Sequence, residues 1–155
     1  MRTAFTLAAL IVLAACSTVP TKPFTPAAAP AGAAAVYFYR PPEMTGSLLK
    51  PTILANGAEL GRLGYGSYGL AQLPPGQTTL RSKWPGIPGT RRDDEVTLTL
   101  EAGKVYYLRV QAHGLTPSIP HIGGLQFENR QGLETVEQAD AVKQLAGMKE
   151  IALEK

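Results

Sequence analysis

The chain has 155 residues, with 15 Lys and Arg against 12 Asp and Glu, a formal net charge of +3 and a single cysteine. Such a small excess of positive charge, with no dense Lys/Arg stripe, argues against a nucleic-acid partner, and one thiol excludes an intrachain disulfide. Any core must therefore be held by packing alone.

At the N-terminus Arg2 is followed by an apolar run from Ala4 to Ala15, interrupted only by Thr6, which ends in Leu13-Ala14-Ala15-Cys16. That order is a bacterial lipobox. Leu13, Ala14 and Ala15 are the signal-peptidase recognition residues, and Cys16 is the lipidation site, its thiol receiving a diacylglyceryl group before cleavage makes it the new N-terminus. An uncleaved anchor is the alternative, but a spanning helix needs roughly 20 apolar residues and this run is too short before Ser17 and Pro20. Two or three acyl chains on one cysteine make release from a bilayer very slow. Ser17, rather than Asp, after the cysteine points to the periplasmic face of the outer membrane in a Gram-negative envelope.

The chain thus divides into a signal peptide (1–15), a lipidated Cys16 with an Ala/Pro-rich tether (16–34), and a folded domain (35–155). Pro20, Pro23, Pro26 and Pro30 forbid a helix in the tether, which in polyproline II form would reach up to roughly 50 Å. Phe24 is the one side chain there able to dock. The domain is of the size that buries a single core without disulfides or metal.

Ala35-Val36-Tyr37-Phe38-Tyr39-Arg40 is β-branched and aromatic, and Pro41-Pro42 ends it. Asn56-Gly57 predicts a type I′ turn between Ile53-Leu54-Ala55 and Leu60-Gly61-Arg62-Leu63. Ser67 to Leu73 predicts a further strand, stopped by Pro74-Pro75-Gly76, after which Gln77 to Trp84 returns. Alternation is clearest in Val96-Thr97-Leu98-Thr99-Leu100, with Val96, Leu98 and Leu100 on one face. The turn Glu101-Ala102-Gly103-Lys104 predicts a second hairpin with Val105–Val110, whose core face carries Tyr106, Leu108 and Val110. Gly124–Glu128 is expected as the last strand. A helix follows, capped by Thr135 with Gln138 three residues on, presenting Val136, Ala139, Val142, Leu145 and Ala146 and closed by Gly147. The fold class expected is mainly β: an antiparallel β-sandwich of about seven short strands with one C-terminal helix.

Val36-Tyr37-Phe38-Tyr39-Arg40-Pro41, Asn56-Gly57 with Leu60-Gly61 and Leu63, Gly66-Ser67-Tyr68, Leu73-Pro74-Pro75-Gly76 and Gly103-Lys104-Val105-Tyr106-Tyr107 together resemble an uncharacterised family of bacterial lipoproteins and secreted domains, a domain of unknown function. The resemblance runs from about Val36 to Val110 and less clearly into the helix. Its strands with Pro-Gly turns are similar to carboxypeptidase regulatory-like sandwich modules. It implies a fold and brings no catalytic residues.

Gly64-Tyr65-Gly66-Ser67-Tyr68-Gly69 has the G-x-G-x-x-G spacing, but Pro74-Pro75 follows too soon for the helix a dinucleotide site requires. Ser67 lacks the preceding glycine of a nucleophile elbow. His113 and His121, eight residues apart in a proline-containing loop, have no standard zinc spacing. A triad assembled across the fold stays formally open. Trp84, Tyr65 and Tyr68 are candidate ligand-facing residues, since loop aromatics stack on sugar rings or anchor protein partners; core packing is the plainer account of each. The expectation is a non-enzymatic, lipid-anchored structural or protein-interaction module without cofactor or metal, with an envelope protein as partner. A glycan- or peptidoglycan-binding module is the alternative, and a hydrolase the third.

Overall fold

The computed structural model describes residues 23–42, 48–85, 94–111, 117–118, 126–127 and 132–153. In chain order the elements are β1 (Ala34–Arg40), β2 (Thr52–Ala55), β3 (Ala58–Arg62), β4 (Ser67–Leu73), β5 (Gly76–Lys83), β6 (Asp94–Leu100), β7 (Val105–Val110), β8 (Pro117–Ser118), β9 (Gln126–Phe127), β10 (Leu133–Thr135), α1 (Gln138–Leu145) and β11 (Lys149–Glu150). One sheet has the order β10-β7-β1-β4-β11 and the other β3-β2-β5-β6. The protein is a β-sandwich with one C-terminal helix, as its turn-punctuated strands predict.

The five-stranded sheet is covered on both faces. Every residue of β1 is buried. Its Ala34, Val36 and Phe38 face the second sheet and meet Ile53, Leu80, Leu100 and Leu108 in the main core. Its Tyr37 and Tyr39 point the other way, into a second cluster with Tyr107, Ala141 and Leu145. Since successive strand residues face opposite sides, the unbroken apolar stretch 34–39 fits only a strand with cover above and below. The layers are therefore α1 with the segment before β1, then the five-stranded sheet, then the four-stranded sheet.

The segment from Pro23 to Ala33 forms part of that outer layer. Phe24 meets Tyr37 and Tyr68 edge-on, each at 5.2 Å between ring centres. The Ala27 N–H donates to the Tyr37 hydroxyl at 2.7 Å. Tyr68 lies opposite Tyr39, two residues beyond Tyr37, so this segment runs back along β1 from the Arg40 end to the strand's start. The expected tether is in contact with the domain from Phe24 onward.

Asn56 and Gly57 both have positive φ, 47° and 82°, as a type I′ turn between β2 and β3 requires. The second expected hairpin does not form. β6 pairs along its length with β5, from Ser82 opposite Asp94 to Gly76 opposite Leu100. β7 instead lies parallel to β1. The turn at Glu101–Lys104 therefore crosses between sheets, because the start of β1 captures the outgoing chain: Gly103 N–H donates to the Ala33 carbonyl and Ala35 N–H to the Lys104 carbonyl, both at 2.9 Å. The core face of β7 is nonetheless the expected one, with Leu108 and Val110 buried and Tyr106 packed against them. Pro74-Pro75-Gly76 likewise carries the chain from β4 in one sheet to β5 in the other.

Two ladders are parallel, β1 with β7 and β4 with β11, so the five-stranded sheet is mixed rather than wholly antiparallel. Of the expected last strand, Gln126–Phe127 form β9, which pairs with β8 in a separate ribbon and is followed by β10 and β11, while Gly124, Leu125 and Glu128 lie outside the described residues. Thr135 does not cap the helix. It ends β10 opposite Leu108, so its backbone belongs to the sheet, and Glu137 takes the N-cap position without a side-chain bond. With the helix starting at Gln138, Ala141 and Leu145 are the buried pair and Ala139 is exposed. Gly147, at φ 79°, closes the turn after α1.

Candidate functional site

The four-stranded sheet presents its outer face as the surface with the most evident binding chemistry. In β2, Ile53 and Ala55 enter the core, which turns Thr52 and Leu54 outward. Thr52 lies opposite Arg62 of β3 on one side and Lys83 of β5 on the other. One cross-strand row thus reads Arg62-Thr52-Lys83. Adjacent strands are about 4.8 Å apart, which sets the two cations' backbones about 10 Å from each other. The next row reads Glu59-Leu54-Arg81, and Arg81 pairs with Glu95 at 3.8 Å.

Arg62, Thr52, Lys83, Leu54 and Glu59 of these rows line a groove of about 660 Å³. Leu48, Leu49 and Lys50 form one wall, and Trp84 with Pro85 closes the end. Leu48 is 95% exposed. Among the described residues, Lys50, Arg62 and Lys83 make no ion pair and Glu59 is the one carboxylate lining the groove. The lining is therefore cationic with an apolar lip.

Trp84, expected as a candidate ligand-facing residue, is 7% exposed and belongs to the main core. The Arg40 guanidinium sits over its ring at 4.9 Å, and the same side chain donates to the Leu49 carbonyl. A ring so enclosed offers an edge to the groove but no free face on which to lay a sugar. Tyr65 is 46% exposed in the turn before β4. Tyr68 lies on the opposite side of the sandwich from the groove, half-buried against Phe24, its hydroxyl donating to Glu150 at 3.2 Å. The fold does not bring the three aromatics into one site.

Gly64 to Gly66 form a turn in which Ser67 Oγ donates to the Gly64 carbonyl at 2.7 Å, and Gly66 has φ 60°. Strand β4, not a helix, follows. Gly69 serves packing: a Cβ there would lie 2.5 Å from Leu153 Cγ. Leu13, Ala14, Ala15, Cys16, His113 and His121 lie outside the described residues. Among the described residues no three His, Cys, Asp or Glu side chains converge, and no helix is long and apolar enough to cross a membrane.

The helix side of the five-stranded sheet holds the perturbed titrating groups. Burial, opposed by Arg109 and reinforced by Glu134, pushes the Tyr39 phenol from 10.0 to about 12. Its hydroxyl donates to Gln144 Oε1 at 3.1 Å. Arg109 Nε donates to Glu134 at 2.6 Å across the β7–β10 ladder. Burial also raises Tyr68, with the Glu150 carboxylate adding to the rise, and raises Tyr107, with Tyr37 adding. Tyr107 stacks on Tyr37 at 5.5 Å, and among the described residues its buried hydroxyl has no partner.

The cationic row escaped the sequence because Lys50, Arg62 and Lys83 are far apart along the chain and each looks like an ordinary exposed residue. Outward alternation in β2 and β5 is the signal available for it, once the pairing is known.

A family model described as "Protein of unknown function (DUF2846)" matches residues 30–125, more than half of the chain and the stretch that includes β1 to β7. No curated protein and no solved structure gives a significant match.

Proposed function

Because the chain belongs to the DUF2846 family, whose function is unknown, we propose its role from its own residues: a lipid-anchored envelope protein whose β-sandwich serves as a non-enzymatic interaction module. The observation that carries this reading is Leu13-Ala14-Ala15-Cys16, which joins small residues to the chain's single thiol at the end of a short apolar run. Three features support it. The Pro-rich segment after Cys16 suits a spacer between bilayer and domain. The docking of Phe24 on Tyr37 and Tyr68 supplies a fixed point from which such a spacer departs. The groove of Lys50, Arg62 and Lys83 with Leu48 at its lip supplies an amphipathic surface suited to recognition rather than to bond making. Ser17 favours the outer membrane as the destination, and the likeness to carboxypeptidase regulatory-like modules fits an accessory β domain.

Metabolic labelling with a palmitate analogue tests the anchor. The wild-type chain is expected to take up label and to fractionate with envelope membranes, and Cys16→Ser to lose both. Equal labelling of the two would overturn the assignment.

A further inference from the structure

The cationic groove and the docked Phe24 segment lie on opposite faces of the sandwich but share one end of it. Arg40, the last residue of β1, holds Leu49 and Trp84, so the cationic groove opens where β1 ends. The segment before β1 runs back along that strand from Phe24, so Pro23 departs toward this same end. From Pro23 to Cys16 is seven residues, which span at most about 25 Å even when stretched out. With Phe24 docked, an acylated Cys16 keeps this end of the domain within about 25 Å of the bilayer; the groove lies at the same end on the opposite face, across two layer spacings of about 10 Å each, a separation inside that reach.

We propose that the groove lined by Lys50, Arg62, Lys83 and Leu48 docks on anionic phospholipid headgroups of the leaflet that holds the Cys16 acyl chains. This rests on the anchoring reading and adds an orientation to it. Charge complementarity selects the occupant: Arg62 and Lys83, about 10 Å apart on either side of Thr52, meet separate phosphates, and Lys50 adds a third cation from the wall. Among the described lining residues Glu59 is the one opposing carboxylate. Leu48, 95% exposed beside these cations, has the placement of an interfacial side chain, with its apolar end at the acyl boundary while the ammonium and guanidinium groups remain among the headgroups. The acyl anchor holds the groove at high effective concentration over the headgroups, so a weak groove contact is enough to orient the domain.

The test uses the whole mature chain from position 16 with Cys16→Ser, so that no acyl group contributes. Co-sedimentation is measured with vesicles of phosphatidylglycerol and phosphatidylethanolamine, and with phosphatidylcholine alone. Partitioning is expected to be at least about ten-fold stronger on the anionic vesicles and to fall with added salt. Replacing Lys50, Arg62 and Lys83 together by Gln is expected to lower it about 100-fold, near five-fold per charge, and Leu48→Ser to weaken it further. Glu59→Gln is expected to strengthen it about five-fold, a gain that misfolding cannot imitate. Equal binding to both vesicle types, an unaffected triple variant, abolition by inorganic phosphate at the ionic strength of a chloride control, or retention on purified sacculi alone would each overturn the proposal. Acylation is absent from every sample, so the palmitate experiment and this one fail independently.

Discussion

The guanidinium carbon of Arg40 lies 4.9 Å from the centre of the Trp84 ring, and both residues are buried where the two sheets meet. The chain's one tryptophan is thereby part of the framework, held by a cation that also serves the Leu49 carbonyl. Arg40→Met keeps the stem and removes the charge, and is expected to cost about 2–3 kcal/mol from the lost cation–π contact and the orphaned carbonyl. Trp84→Ala is expected to cost about 3–5 kcal/mol. Urea denaturation checks both; a Trp84→Ala change within about 0.5 kcal/mol of the parent would return Trp84 to the surface set.

Gly69 and Leu153 form a complementary pair near the C-terminus, since a Cβ on Gly69 would enter the space of the Leu153 side chain. Gly69→Ala is expected to destabilise by about 1 kcal/mol as Leu153 is displaced. In a Leu153→Ala background the same change should be neutral or mildly favourable, because Ala is the better strand residue. A double-mutant cycle measures the coupling, and additive effects would show that Leu153 does not occupy this site.

Removing the Phe24 ring is expected to free the segment before β1. Two edge-on aromatic contacts are worth about 0.5–1.5 kcal/mol each, so Phe24→Ala should cost about 1–3 kcal/mol, spent on local rather than global stability. Amide exchange at Ala27, whose N–H donates to the Tyr37 hydroxyl, reports the release. Protection at Ala27 unchanged by Phe24→Ala would mean that the proline-rich backbone alone holds the segment.

Tyr39 makes alkaline stability a readout of the helix layer. Its phenol is raised from 10.0 to about 12 in the folded protein, so its contribution is fully present below pH 10, falls as pH rises from 10 to 12, and is lost beyond. Tyr68 and Tyr107 are raised as well and act in the same direction. Tyr39→Phe is expected to flatten the decline in melting temperature over that window, at a cost near neutral pH of about 1 kcal/mol for the bond to Gln144. An ultraviolet titration in which Tyr39 ionises with an ordinary exposed phenol would contradict its burial.

Much of the sandwich was legible locally. Asn56-Gly57 dictates its turn because only residues tolerant of positive φ close a two-residue hairpin, and the alternation at Val96–Leu100 identifies the inward face without any partner. The apolar stretch 34–39 within β1 also carries the mark of a strand covered on both faces. The groove was not legible, because cations at 50, 62 and 83 become neighbours only through the β3-β2-β5 register.

What the chain alone determined is what depends on neighbouring residues: the hairpin at Asn56-Gly57, the placement of strands and the closing of the helix by Gly147. Pairing across long separations was decided by the tertiary structure. Glu101–Lys104 has the composition of a hairpin turn, yet β6 is held by β5 and β7 by β1, so the same turn becomes a bridge between sheets. Turn chemistry fixes a local bend at the cost of a few dihedral angles. Which strand receives the chain afterward is set by the burial and hydrogen bonds that each competing edge offers, and those exist only once the distant strands have met.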